Sequence, residues 1–196
     1  MRLTIIAAML ALSACGQQAT PPKAPPPPAQ TQASTTAPAN NCAVTVTTQW
    51  STGAAAFTIE ATTSGPSCAE ATAAIAIRDA QGATIHTASY DAAEITPLSG
   101  CDTVSDMQRC LSEWITPAGA SMDSTGDLTP WAVGAGEPVN AEVPFHPSEG
   151  VNREIYEALR TADAPMYCYQ QNALGGLCFA MRDGALKEIG VQTYAG

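Results

Sequence analysis

Between Val44 and Trp50 the chain alternates: Val44, Val46, Thr48 and Trp50 fall on one set of positions, Thr45, Thr47 and Gln49 on the other. Phe57 and Ile59 alternate in the same way with Thr58 and Glu60. A period of two is the signature of a strand with one buried and one wet face, so this stretch predicts two strands. Ser51-Thr52-Gly53 supplies the turn between them, and Gly65-Pro66-Ser67 ends the second run. Next, "ATAAIAIRDA" and "ATIHTASY" flank Gln81-Gly82 and predict a second hairpin, although the alanines around Glu70 suit the start of a helix equally well.

The period changes in "TVSDMQRCLSEWI", where Met107, Cys110, Leu111, Trp114 and Ile115 recur at i, i+3, i+4, i+7 and i+8 and form one apolar stripe of a helix. Ser105 with Gln108 fits a capping box, and Pro117 follows the end. A second helix is expected from about Glu149 to Thr161, with Val151, Ile155, Ala158 and Leu159 inward, Ser148 as cap and Arg153 four residues after Glu149. Its polar face reads as a solvated surface. The C-terminal segments "MYCYQQ", "GLCFAMR" and "LKEIGVQTY" predict a small antiparallel sheet, with turns at Asn172 to Gly176 and at Asp183-Gly184, a strong hairpin dipeptide.

The first residues follow another logic. Arg2 precedes the apolar run "LTIIAAMLAL", which ends at Leu12. A spanning helix needs about 20 apolar residues; one positive charge ahead of an apolar stretch of roughly 7 to 15 is the layout of a secretory signal. Leu12-Ser13-Ala14-Cys15 resembles the lipobox of bacterial lipoproteins. That resemblance implies removal of residues 1–14, a diacylglyceryl group on Cys15, and usually an amide-linked third acyl chain. At about 0.8 kcal/mol per buried methylene, several chains hold a protein on a membrane where one would not. Gly16, in a position where an aspartate often retains such proteins at the inner membrane, favours the outer membrane, with the protein facing the periplasm.

Without Cys15 the remaining cysteines are an even set, Cys42, Cys68, Cys101, Cys110, Cys168 and Cys178. Although 15 pairings are formally open, local geometry favours neighbours in order: Cys42 with Cys68 across the open end of the first hairpin, Cys101 with Cys110 at the start of the helix, and Cys168 with Cys178. The last two are equidistant from Ala173, which lets them face one another across a hairpin while Tyr167 and Tyr169 share the other face with Leu177, Phe179 and Met181. An oxidising periplasm permits all three bridges. Zinc or redox chemistry is disfavoured, because the chain has no C-x-x-C and only two histidines, His86 and His146.

Residues 15–41 are rich in proline, alanine, glutamine and threonine, including "PPKAPPPPAQTQASTTAPAN", with no periodic apolar face. Such a segment reads as a disordered tether of polyproline character, each extended residue adding about 3.1 Å of reach. Residues 42–196 are enough for a single domain. The whole chain has a formal net charge of −10, which becomes −11 once Arg2 is removed. This excess argues against nucleic-acid partners and favours a basic protein or a cationic ligand, besides serving solubility.

Catalytic motifs are sparse. There is no G-x-S-x-G elbow, and His146 in "VPFHPS" is expected in a loop between prolines. "DSTGD", Asp123 to Asp127, hints at calcium, but an EF-hand begun at Asp123 would need glycine at Leu128 and glutamate at Gly134. No cofactor or metal is expected. Tyr167, Tyr169 and His146 are the candidate binding residues, the tyrosines as a stripe for sugar rings, with burial in the core as the commoner fate of such a stripe. The sequence thus predicts an α+β domain of antiparallel hairpins or small sheets with two amphipathic helices, braced by disulfides. Its expected role is a lipid-anchored, non-catalytic binding or structural module, with peptidoglycan or a basic envelope protein as partner. In architecture alone this resembles envelope lipoproteins that inhibit lysozyme, with no motif shared residue by residue; a periplasmic hydrolase is the other alternative.

Overall fold

Strand β1 (Val44–Thr52) pairs with β2 (Ala55–Ser64), β2 with β3 (Thr72–Arg78) and β3 with β4 (Thr84–Asp91), giving a four-stranded antiparallel meander. This comes from a computed structural model, which describes residues 41–53, 55–138 and 144–193. The alternation sets the faces: Val44, Trp50, Phe57, Ile59, Ala61, Ala73, Ile75 and Ile77 are buried, while Thr45, Thr47 and Gln49 are exposed. Each large apolar side chain so buried contributes about 1.5–3 kcal/mol. Gly53 supplies the positive φ of 56° that the first turn requires. The alanines around Glu70 do not begin an α-helix. A single 3-10 turn, Cys68–Glu70, leads directly into β3.

Helix α1 (Val104–Ile115) buries the predicted stripe of Met107, Cys110, Leu111, Trp114 and Ile115. Its cap lies two residues earlier than expected. Thr103 is extended and accepts from the Asp106 amide at 3.1 Å, while its hydroxyl donates to the Asp106 carboxylate at 2.6 Å, so a Thr-x-x-Asp pair takes the place of Ser105 and Gln108.

The second sheet is larger than the three strands expected. β7 (Pro165–Asn172), β8 (Gly175–Arg182) and β9 (Ala185–Thr193) form its centre, and β5 (Ala120–Ser124) and β6 (Phe145–Pro147) are added at its edges, in the order β5-β7-β8-β9-β6, all antiparallel. His146 therefore sits on an edge strand opposite Val191, not in a loop. Its strand runs so close to β9 that a Cβ on Gly190 would lie 2.5 Å from the His146 carbonyl oxygen and from the Phe145 ring, so this position requires glycine. Asp183 and Gly184, with φ of 53° and 78°, make the hairpin turn between β8 and β9.

Helix α2 (Arg153–Ala162) starts four residues later than expected, because Gly150 turns the chain with φ of 85° and Asn152, not Ser148, caps it by accepting from the Ile155 amide. The shift changes the inward face. Tyr156 and Leu159 are buried, Ile155 is half-buried, Val151 packs from the approach, and Ala158 is exposed rather than inward.

The second sheet is a wall shared by two cores. Tyr167, Tyr169, Phe179 and Leu186 face the first sheet and α1 in one continuous cluster. Met166, Cys168, Cys178, Ala180 and Ile189 face the other way, against Tyr156, Leu159, Phe145 and Leu128. Three disulfides brace the fold: Cys42–Cys68, Cys101–Cys110 and Cys168–Cys178, the last between directly opposed residues of β7 and β8. The result is an α+β fold with more sheet than helix.

Candidate functional site

Where the outer edge of the first sheet meets the second, three polar side chains converge from strands distant in sequence. The β4 residues His86 and Tyr90 project four positions apart toward Tyr169 of β7. The Tyr90 and Tyr169 hydroxyls are 2.7 Å apart, and His86 Nε2 is 3.4 Å from the Tyr169 hydroxyl. Rings close the surroundings: Trp114 meets Tyr169 edge-on at 5.7 Å, Phe179 stacks on Tyr169 at 5.6 Å, and His86 lies 4.2 Å from Phe179. In this apolar setting burial pushes the Tyr169 phenol above its ordinary range, with the Tyr90 hydrogen bond acting in the same direction. Burial likewise lowers His86, which favours the neutral imidazole.

Beside this cluster opens a recess of about 260 Å³ lined by Tyr90, Glu94, Ile95, Gln171 and Asn172. A 3-10 turn, Ala92–Glu94, carries Glu94 to it; Asp91 caps that turn by accepting from the Ala93 amide at 3.0 Å. The opposite wall comes from a bulge in β7, where the pairing register shifts between Gln170 and Asn172. Asn172 Oδ1 accepts from the Leu174 amide at 2.9 Å, which holds this turn in place. The recess combines an aromatic ring, a carboxylate and carboxamides, a set suited to polar or cationic groups.

Of the residues singled out by sequence, Tyr169 belongs to this cluster, while Tyr167 and His146 do not. Tyr167 and Tyr169 are fully buried, so their stripe belongs to the core between the sheets and offers no platform for a sugar ring. Burial also raises the Tyr167 phenol. His146 is exposed and its Nδ1 lies 3.0 Å from Glu137 Oε2. Ser148, two residues on, donates instead to Glu188 Oε1 at 2.5 Å. Ser124 donates to Asp163 Oδ1. Among the described residues no serine hydroxyl hydrogen-bonds a histidine, and no three His, Cys, Asp or Glu side chains converge as a metal-holding group. Cys15 lies outside the described residues. Tyr90, Glu94 and Gln171 were not singled out by sequence; the strand pattern placed Tyr90, but nothing local announces that the three meet.

Charge is unevenly disposed. Arg78, Arg109, Arg153, Arg160, Arg182 and Lys187 are the only Lys or Arg residues from Cys42 to Gly196. Five of these contact carboxylates, namely Glu60, Glu113, Glu157 and, twice, Asp183, and Arg153 donates to the Trp131 carbonyl at 2.8 Å. Glu70, Asp91, Glu94, Asp102 and Asp106 are exposed, and between Ser64 and Arg109 the only Lys or Arg is Arg78, at the far end of β3. No described helix is long and apolar enough to cross a membrane. The chain matches no protein-family model, no curated protein and no solved structure.

Proposed function

We propose that the protein is a lipid-anchored module of a bacterial envelope, held by Cys15 at the outer membrane, whose acidic domain binds a basic partner and does no chemistry on it. The anchor rests on Arg2, the short apolar run and the lipobox-like Leu12-Ser13-Ala14-Cys15. The binding role rests above all on charge: the cations of the folded segment are engaged by its own groups, while the carboxylates from Glu70 to Asp106 are left to attract cations from outside. A basic cell-wall enzyme of the lysozyme kind matches that demand, and peptidoglycan itself is the competing ligand.

Two measurements test the proposal. Labelled palmitate should enter the protein and be lost in Cys15→Ser; equal labelling of both chains sinks the anchor. Affinity for purified lysozyme and retention on purified sacculi should then be compared at low and high salt. Lysozyme binding that collapses as screening rises supports the reading. Salt-resistant retention on sacculi alone would replace the basic partner with the wall, and binding to neither would remove the binding role.

A further inference from the structure

The recess between the 3-10 turn Ala92–Glu94 and the β7 bulge has a chemistry that selects its occupant. We infer that it receives a single arginine or lysine side chain from a basic partner protein, an inference that rests on the proposed binding role and gives it a site.

Size comes first. At about 260 Å³ the recess falls below the range of roughly 300–1,000 Å³ usual for small-molecule pockets. It suits one side-chain head, not a folded peptide or a disaccharide. Charge comes second. Glu94 forms no ion pair among the described residues, and Arg78 is held at the opposite end of β3 by Glu60, 3.8 Å away, and by the Thr84 hydroxyl, 2.6 Å away. A positive charge beside Glu94 would therefore be supplied by a guest and not by the domain's own arginines. Asp91 and Glu70 stand close by, because the turns that carry Glu94 and Glu70 pack together through the Ala92 amide and the Ala71 carbonyl at 2.9 Å. Both add to the attraction at longer range.

The remaining walls fit the same guest. The half-buried Tyr90 ring is pinned at its hydroxyl by Tyr169 and set edge-on to Trp114 at 6.4 Å, so a cation can settle against a ring whose position is already fixed. The Gln171 carboxamide has no hydrogen-bond partner among the described residues, although it belongs to a half-buried residue on the recess wall. Its oxygen can accept from a guanidinium or ammonium N–H. A saccharide would lack the positive charge that complements Glu94.

The test titrates nitrogen-15-labelled full-length protein, disulfides formed, with N-acetyl-arginine amide, N-acetyl-citrulline amide and N-acetylglucosamine. The arginine compound should give saturable shifts at Glu94, Ile95 and the Gln171 side-chain amide, and citrulline, its uncharged isostere, should not. Glu94→Gln should weaken the arginine compound by about fivefold, while Glu149→Gln, an exposed carboxylate on the approach to α2, should leave its affinity unchanged. Equal shifts with citrulline, equal weakening by Glu149→Gln, or saturation of the same resonances by N-acetylglucosamine would overturn the inference. Salt-sensitive lysozyme binding that survives Glu94→Gln at full strength would overturn the recess alone and leave the binding proposal standing.

Discussion

The Tyr156 side chain does two things at once. Its ring packs between Trp131 and Phe145, at centroid distances of 5.5 and 5.8 Å, and its hydroxyl donates to the Thr129 carbonyl at 2.8 Å. Burial pushes the phenol up to about 12, against an ordinary value of 10.0. The folded protein thus keeps a proton that the unfolded chain sheds above pH 10, and this part of the stability, complete below pH 10, is lost as pH rises toward about 12. Tyr167 and Tyr169 act in the same direction. Tyr156→Phe should cost about 1 kcal/mol at neutral pH for the lost hydrogen bond, and should flatten part of the alkaline decline in urea unfolding. An unchanged slope would show that the phenol is not protected as described. Sequence patterning missed Tyr156 because a tyrosine is ambiguous between surface and core. Its burial depends on where α2 starts, which Gly150 and Asn152 decide by local backbone chemistry rather than by apolar period.

At the scale of elements, the segment from Leu128 to Glu137 is strapped across α2 by charged side chains. The Trp131 amide donates to Glu157 Oε1 at 2.6 Å, Arg160 Nε donates to the Leu128 carbonyl at 2.6 Å, and Arg160 also pairs with Glu157 at 2.8 Å. The Trp131 amide hydrogen bond is the main reason the Glu157 carboxyl lies below its ordinary value of 4.5, with Arg160 helping. A depressed carboxylate stabilises the fold above its unfolded pKa, and that contribution disappears as pH falls through the lower folded value. Trp131 should therefore become more accessible to acrylamide in acid, whereas Glu157→Gln should leave it accessible at neutral pH and nearly indifferent to pH. Matching profiles for the two proteins would rule out this latch. Elements with their own periodic signal, such as α1 and the strands around Trp50 and Cys178, were legible in the sequence. The edge strands were not: "ASMDS" has no alternation and "FHP" contains a proline, so both are strands only because β7 and β9 present pairing edges to them. The recess was illegible for the same reason, since Tyr90, Glu94 and Gln171 are joined by sheet packing and a bulge that no local window contains.

For the whole molecule the disulfides set the scale of stability. Cys42 and Cys68 close a loop across a sequence separation of 26, which in the loop-entropy model corresponds to about 3.5 kcal/mol. Replacing both with alanine should lower the urea midpoint accordingly and weaken amide protection first at the Val44 end of β1. Loss confined to the second sheet would contradict the assignment. All three pairings could be read from the cysteine spacing because each joins neighbours in the sequence, across a hairpin or onto a helix. How the two sheets share one core could not, because that depends on contacts between residues as distant as His86 and Tyr169.

The Cys42–Cys68 bridge also has a mechanical meaning. Any pull transmitted along the residues before Cys42 enters the domain at the first residue of its bridge, next to an edge strand that hydrogen-bonds on one side only. Edge strands loaded from one end fail by unzipping, one hydrogen-bond pair at a time. Here the load divides at Cys42, part passing through the sulfurs to Cys68 and the start of β3, so that β1 cannot be peeled away from its Val44 end while the bridge is intact. A domain moored to a surface and tugged by whatever it holds would transmit that force into two strands at once.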